Sequence, residues 1–154
     1  MTAVLPCPLC EEDGGTLLWR NTYLRVIGVN DVDYTGFTRV IWNEHQPEMT
    51  SLSEHERSLL MQAVYTIEQV QRDTLSPDKI NLASLGNMVP HLHWHLIPRW
   101  RDDRHFPDPI WAAARTEKGS EPDTWHARQA LMPQRLHNYH AHLIAALNTM
   151  SQPC

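Results

Sequence analysis

Three histidines alternate with apolar residues in the stretch VPHLHWHLIPRW, which occupies residues 89–100. Side chains two residues apart lie on the same face of a β-strand. A strand here would therefore have one apolar face and one face that carries His91, His93 and His95. Threonine, lysine or glutamate would serve equally well on a face that solvent merely wets. The strict alternation of three histidines instead indicates a chemical role.

Two kinds of chemistry use histidines in this pattern. Imidazoles at positions i and i+2 of one strand can hold a metal ion when a third ligand comes from elsewhere. Alternatively, the central residue, His93, attacks phosphorus as a neutral imidazole and forms a labile phosphorus–nitrogen bond. The flanking histidines and backbone N–H groups would then stabilise the charge that develops on the phosphoryl oxygens. The residues alone leave both possibilities open.

The rest of the sequence predicts a small sheet with helices. Runs rich in β-branched and aromatic residues predict five strands, at 16–20, 23–29, 37–42, 79–86 and 91–99. Ser53 and Glu56 form a capping-box pattern before apolar residues at helical spacing, which predict the main helix over 54–74. Pro133 predicts the start of a C-terminal helix. This order favours an α+β domain with an antiparallel sheet and its helices on one side.

Length and charge limit the class of protein. A chain of 154 residues is most simply a single domain, 1–154. A net charge of −5 without a long basic run does not fit a non-specific nucleic-acid binder. The start, MTAVLPCPLC, lacks the features of a signal peptide, and no apolar window approaches the roughly 18 residues of a membrane span. We therefore expect a cytoplasmic protein with no membrane or nucleic-acid partner.

Cys7 and Cys10 form a C-x-x-C pair, and the third cysteine, Cys154, is the last residue. A redox pair of this kind usually opens a helix in a thioredoxin-like unit, and no such pattern follows here. The pair would also suit half of a tetrahedral zinc site, which needs two more ligands. Two small buried side chains without a function are the remaining alternative.

The heptapeptide HLHWHLI at 91–97 resembles the signature of the histidine triad (HIT) family. Three features agree with this resemblance: the early C-x-x-C, the histidine in RVIWNEH (39–45), and the turn in NLASLGNMVPH (81–91). The similarity covers a core of about residues 5–100, followed by a C-terminal extension with a helix at 101–154. It implies a HIT-like fold with about five strands, a main helix and a C-terminal helix. It also implies a homodimer, and nucleotide hydrolysis or transfer through a nucleotidyl-histidine intermediate.

The resemblance assigns roles within the triad. His93 would be the nucleophile, and His95 would be its catalytic partner beside the transferred phosphate. Four residues would contact the substrate: Asn30, Asn81, Asn87 and His91. The family mechanism requires no cofactor for catalysis.

The resemblance also implies which two residues would join Cys7 and Cys10 in a zinc site. Some HIT proteins, and the related galactose-1-phosphate uridylyltransferases, hold a structural zinc ion with such a pair and two histidines. One of these histidines follows the third strand, and the other is the first histidine of the triad. In this chain the four ligands would be Cys7, Cys10, His45 and His91. The metal would then anchor the strand that presents His93.

The sequence departs from the family at two positions near the leaving group. Many members have a histidine at the start of the third strand, where this chain has Phe37. Many also have serine or threonine three residues before the triad, where this chain has Met88. Neither side chain has a proton to donate. The uridylyltransferases, in turn, have glutamine in place of His95.

These observations predict a nucleotide phosphohydrolase or nucleotidyl transferase. The expected substrates are adenosine phosphoramidate-like compounds or dinucleoside polyphosphates. One alternative is a zinc-dependent hydrolase that uses the triad as metal ligands. The other is a nucleotide-binding protein with weak catalysis, which Phe37 and Met88 suggest.

Overall fold

The computed structural model of the protein describes residues 6–150, so Cys154 lies outside the described residues. A five-stranded antiparallel sheet forms its centre. The strands are β1 (Thr16–Arg20), β2 (Leu24–Gly28), β3 (Thr38–Trp42), β4 (Lys79–Ala83) and β5 (His93–Arg99). They lie in the order β1-β2-β3-β5-β4. The strand that carries the histidines, β5, is therefore inside the sheet, with both of its edges paired.

In the described part of the chain, three α-helices accompany the sheet: α1 (Pro8–Glu11), α2 (Glu54–Leu75) and α3 (Asp123–Asn148). A 3₁₀ turn, Met49–Ser51, precedes α2. The predicted capping box starts α2: the Glu56 N–H donates to Ser53 Oγ at 3.3 Å, and the Ser53 N–H donates to Glu56 Oε2 at 2.7 Å. These two bonds satisfy N–H groups that a helix start would otherwise leave without partners. No helix in residues 6–150 is both long enough and apolar enough to cross a membrane.

One face of the sheet forms the main core. Its inward residues alternate along the strands, as the two-residue period requires. Those from the three central strands are fully or almost fully buried: Leu24, Val26, Val40, Trp42 and Leu96. Helices α2 and α3 cover this face and contribute the other half of the core. The histidines of β5 consequently lie on the opposite face.

Helix α3 begins earlier than the sequence predicts. Pro133 lies inside this helix instead of at its start, although an interior proline typically costs about 3 kcal/mol. Tertiary contacts on the N-terminal side explain the difference, since Met132 is buried in the main core. Arg128 also pairs with Asp102 at 2.6 Å and lies 4.4 Å from the centre of the Trp100 ring. These contacts hold the turns that precede Pro133 in helical form.

The short helix α1 packs on the histidine face of the sheet, away from α2 and α3. Leu9 of α1 forms a small apolar cluster with Ile27 and Ile41. The prediction that the helices lie on one side is therefore wrong for α1, which has four residues and no helical periodicity of its own. Its position brings the cysteine pair to the face that carries the histidines.

We expect Leu143→Ala to lower the free energy of unfolding by about 2–5 kcal/mol, because it opens a cavity between α3 and the sheet. Leu143 is 0% exposed, whereas its neighbour Ile144 is 37% exposed. Ile144→Ala is therefore the matched control, with an expected loss below about 1 kcal/mol. Urea denaturation of the two variants makes the comparison. Equal losses would show that α3 does not pack as described.

Candidate functional site

The pairing of β3 with β5 places the central histidines. His93 lies opposite Ile41, and His95 lies opposite Arg39. Partners directly opposite in an antiparallel pair have neighbouring side chains on the same face. The His93 and His95 rings are edge to face, with their centres 4.7 Å apart. Both are largely buried.

A hydrogen bond to the backbone orients His93. Its Nδ1 lies 2.6 Å from the carbonyl oxygen of His91. A carbonyl only accepts, so Nδ1 carries the proton and Nε2 keeps its lone pair. Burial, with a contribution from the positive charge of Arg39, lowers the pKa of His93. The ring is therefore neutral near pH 7, with Nε2 in the form that a nucleophile requires.

His95 has the opposite tautomer. Arg39 Nε donates to His95 Nδ1 at 3.2 Å, and arginine has no acceptor to offer. The proton of the neutral ring is therefore on Nε2. Burial, followed by the charges of His93 and Arg39, lowers the pKa of His95 to about 3. His95 is thus a neutral N–H donor in a ring that packs edge to face against the ring of His93.

His91 lies just before β5 and is turned away from the other two histidines. Its Nε2 donates to the carbonyl oxygen of Trp42 at 2.6 Å. The other nitrogen, Nδ1, lies 3.4 Å from Cys7 Sγ and 3.5 Å from Cys10 Sγ. The backbone beside it is also fixed, since the Trp42 N–H donates to the Leu92 carbonyl at 3.1 Å. His91 therefore presents a lone pair to the two cysteines.

His45 completes a cluster of four ligand-type side chains. Its Nδ1 is 3.4 Å from Cys10 Sγ, and the ligand atoms of Cys7, Cys10, His45 and His91 all lie within 4.8 Å of one another. A tetrahedral zinc ion with ordinary bond lengths separates its sulfur and nitrogen ligands by about 3.6 Å. The donor set, its spacing and the hydrogen bond on the far nitrogen of His91 all fit a structural metal site.

Arg25 holds the segment that carries the two cysteines. This buried guanidinium donates to three backbone carbonyls at the end of α1: to Leu9 at 2.5 Å, to Glu12 at 3.2 Å and to Asp13 at 3.1 Å. The C-terminal carbonyls of a helix otherwise lack partners. Arg25 therefore fixes α1 against β2 and places a positive charge near the thiol groups.

The sequence matches the HIT domain family over residues 13–102. The chain belongs to this family. The resemblance inferred from the triad is therefore confirmed. Membership of the HIT family supports a function in nucleotide binding, hydrolysis or transfer. No curated protein matches the sequence.

Solved HIT structures share the fold. A histidine triad protein from Bradyrhizobium japonicum is 21% identical, with 88% of this chain and 92% of that chain covered and a TM-score of 0.67. One from Marinobacter aquaeolei is 23% identical, with 85% and 92% covered and a TM-score of 0.63. A zinc-bound histidine triad family protein from Mycobacterium smegmatis is 19% identical, with 88% and 94% covered and a TM-score of 0.53. The predicted HIT-like α+β fold is confirmed.

The three asparagines predicted to bind substrate in this HIT protein have different environments. Asn81, on β4, accepts a hydrogen bond from Arg99 Nη1 at 2.7 Å. Asn30 is exposed at the end of β2, and its Nδ2 is 3.3 Å from Thr16 Oγ1. Asn87 is exposed in the loop before the triad. No hydrogen bond within residues 6–150 joins any of them to the triad histidines, so their role in substrate binding stays a prediction.

Phe37 and Met88 are the two positions at which the sequence departs from the family pattern near the leaving group. The Phe37 ring is 5.8 Å from the His95 ring, between centres. Met88 is 93% exposed in the loop before β5. Phe37 therefore offers His95 only an apolar contact, and Met88 is turned to solvent.

Sequence reasoning missed two residues beside His95. The first is Arg39. Its charge stands alone in the apolar run FTRVIW, and this pattern could have pointed to a role for Arg39 beside the histidines. Trp111 is the other, with its ring centre 5.3 Å from that of His95 and about half of its surface exposed. It belongs to the extension after β5, which the buried Arg99–Asp103 ion pair anchors at 2.7 Å. No local pattern links Trp111 to the triad.

We expect the purified protein to carry one zinc ion per chain, measured by inductively coupled plasma mass spectrometry. The double change Cys7→Ser and Cys10→Ser removes both thiolates and should abolish metal binding. His93→Ala should keep the metal, because His93 lies outside the four-ligand cluster. Metal retained by the cysteine variant but lost on changing His93 and His95 would contradict the assignment.

Burial of neutral His95 should make folding stability depend on pH. Its folded pKa of about 3 lies below the ordinary 6.5. The unfolded chain therefore takes up a proton that the folded chain does not, and stability falls as pH decreases from 6.5 towards 3. For one such group the loss between about pH 7.5 and pH 5 is about 2 kcal/mol.

His95→Gln isolates this contribution, because the other histidines titrate in both proteins. Urea unfolding at the two pH values should show a smaller loss of stability in the variant than in the wild type. The same pH dependence in both proteins would mean that His95 is protonated normally in the fold.

Proposed function

We propose that this HIT protein is a nucleotide hydrolase or nucleotidyl transferase in which His93 is the nucleophile. The observation that carries the proposal is the 2.6 Å hydrogen bond from His93 Nδ1 to the His91 carbonyl. This bond leaves the Nε2 lone pair free on a neutral imidazole whose ring centre is 4.7 Å from that of His95. The protein's proposed substrates are adenosine phosphoramidate-like compounds or dinucleoside polyphosphates. A homodimer and a cytoplasmic location belong to the same proposal.

The proposed reaction proceeds in two steps. His93 Nε2 attacks the α-phosphorus of the nucleotide, the bond to the leaving group breaks, and the nucleotidyl group remains on Nε2. Water, or another acceptor, then attacks the same phosphorus and releases His93. The His95 Nε2–H donates to a phosphoryl oxygen, and the half-buried Arg39 places positive charge nearby. Donors already in position for a developing charge are typically worth about 10²–10³-fold in rate.

His91 has a separate role in this proposal. A zinc ion held by Cys7, Cys10, His45 and His91 would supply rigidity and no reactive group. His91 would thereby keep its backbone carbonyl in place as the acceptor for His93 Nδ1. Ligation by Nδ1 is compatible with the Nε2–H bond to Trp42, and such bonds on the far nitrogen orient metal-bound histidines.

The triad itself is not arranged as a catalytic metal site. Within residues 6–150 the one cluster of metal-type ligands contains His91 but neither His93 nor His95. His95 has no nitrogen free for a metal ion, because Arg39 occupies the lone pair on its Nδ1 and its proton is on Nε2. The zinc-dependent hydrolase is therefore the weaker alternative.

Trapping tests the proposed function directly. The protein is mixed with diadenosine polyphosphate or adenosine phosphoramidate, quenched in alkali, and analysed by intact-protein and peptide mass spectrometry. An adenylyl adduct on His93 is expected. His93→Ala should give no adduct and lose at least about 10³-fold in turnover, as loss of a nucleophile typically does.

His55→Ala is the matched control, because His55 is exposed on α2 and should not affect the adduct. Metal content should be equal in all three proteins, which separates loss of the nucleophile from loss of the structural site. Tight nucleotide binding without adduct or turnover on either substrate would instead support a binding protein.

A further inference from the structure

Arg39 and His95 form a cross-strand pair beside the proposed nucleophile. They lie directly opposite each other on β3 and β5, and Arg39 Nε donates to His95 Nδ1 at 3.2 Å. The guanidinium also lies over the Phe37 ring, 5.4 Å from its centre. Within residues 6–150 no carboxylate lies within ion-pair distance of Arg39. A half-buried cation without an acidic partner is costly to maintain, so this position suggests a role in the site.

This pair fixes which protons His95 can offer. An arginine N–H pointing at Nδ1 requires a lone pair on that atom, so the proton of His95 stays on Nε2. A second proton on Nδ1 would place two N–H groups against each other and a cation beside a cation. His95 can therefore donate a hydrogen bond through Nε2, but it does not have the extra proton of an imidazolium to transfer.

Among the described residues, the surroundings of His95 contain no side chain that could protonate a leaving group near neutral pH. The charged or titratable groups against it are Arg39 on β3 and His93 on its own strand. The aromatic neighbours are Phe37 and Trp111, and its partner on β4 is Ala83. Where many HIT proteins have a hydroxyl before the triad, this chain has the exposed Met88. Over residues 6–150, the site therefore provides hydrogen-bond donors but no acid that titrates near neutral pH.

We propose that Arg39 is a positioning residue that holds His95 as a neutral donor, and that the site consequently prefers phosphoanhydrides over phosphoramidates. This inference rests on the proposed function. The oxygen that leaves from an anhydride belongs to a phosphate, whose protonation has a pKa of about 6, so it departs as a stable anion. The amine of a phosphoramidate must be protonated to leave, and that step needs an acid.

The anhydride reaction is balanced without such an acid. The lone pair on His93 Nε2 forms the phosphorus–nitrogen bond. The bridging phosphorus–oxygen bond breaks, and its electron pair departs with the nucleoside polyphosphate anion. Water then forms a phosphorus–oxygen bond, the phosphorus–nitrogen electrons return to Nε2, and one water proton passes to solvent. A phosphoramidate follows the same course only if its nitrogen gains a proton as the bond breaks.

The test compares the rate of His93 adenylylation with diadenosine tetraphosphate and with adenosine 5′-phosphoramidate, in single turnover by quenched-flow mass spectrometry. The wild type should react at least about 100-fold faster with the anhydride, a typical contribution of general acid catalysis that the amine substrate lacks here. Arg39→Met frees His95 Nδ1 to accept a proton. In this variant the ratio of the anhydride rate to the phosphoramidate rate should be smaller than in the wild type by at least about 10-fold.

The pH profile separates this role from a merely structural one. In Arg39→Met the phosphoramidate rate should rise, relative to wild type, as pH decreases below about 7. Loss of the Arg39 N–H and its charge raises the pKa of His95 and lets Nδ1 take a proton, while burial still keeps that pKa below its ordinary value. Arg39→Lys keeps a cationic donor and should keep the wild-type ratio. Arg72→Met, an exposed arginine change on α2, is the matched control and should leave both rates and the profile unchanged.

Three results would overturn the inference. One is a wild type that reacts with the phosphoramidate as fast as with the anhydride, which requires no variant to fold. The second is an unchanged ratio in a folded Arg39→Met protein. The third is an Arg39→Met protein in which the ratio of the anhydride rate to the phosphoramidate rate narrows while the pH profile stays that of the wild type. A distorted site would be enough to give that result. An absence of any His93 adduct in the wild type, with both substrates, would instead overturn the proposed function.

Discussion

The hydrogen bond from His93 Nδ1 to the carbonyl oxygen of His91, 2.6 Å long, determines how this site can work. A backbone carbonyl cannot donate, so it selects one tautomer of His93 and leaves the Nε2 lone pair exposed to a substrate. The bond is local in sequence, but it holds only if the His91 peptide group is fixed. The rest of the molecule supplies that restraint through the sheet, the cysteine segment and the packing of α2 and α3.

Three similar histidines thereby acquire three different environments. His91 faces the cysteines and donates to Trp42, His93 donates to His91, and His95 accepts from Arg39. A single bond on one nitrogen defines the state of the other nitrogen in each ring. Metal binding by His91, just before β5, and phosphoryl chemistry at His93, within β5, can therefore take place two residues apart without competing. Arg25 extends the restraint to the metal side, because it holds the carbonyls of α1 against β2.

Much of the fold follows from local pattern. The alternation in the strands predicts which face each side chain takes, and the capping box predicts where α2 begins. The start of α3 does not follow from Pro133, because the buried Met132 and the Arg128 contacts outweigh the cost of an interior proline. The Arg39–His95 pair depends on the register of β3 against β5, and the Trp111 contact depends on the path of a long extension. No local sequence pattern predicts either of these two contacts. The family resemblance, by contrast, predicts the four metal-type ligands.

The hydrogen bonds hold each triad histidine in one defined tautomer. Long-range ¹H–¹⁵N correlation spectra of the histidine side chains, recorded near neutral pH on the metal-loaded protein, measure this directly. We expect a proton on Nδ1 of His93 and on Nε2 of both His91 and His95, with the signals assigned through single-histidine variants. A proton on Nε2 of His93 would contradict this, because the attacking atom would have no lone pair. A doubly protonated His95 would also contradict it, because His95 would then be an acid.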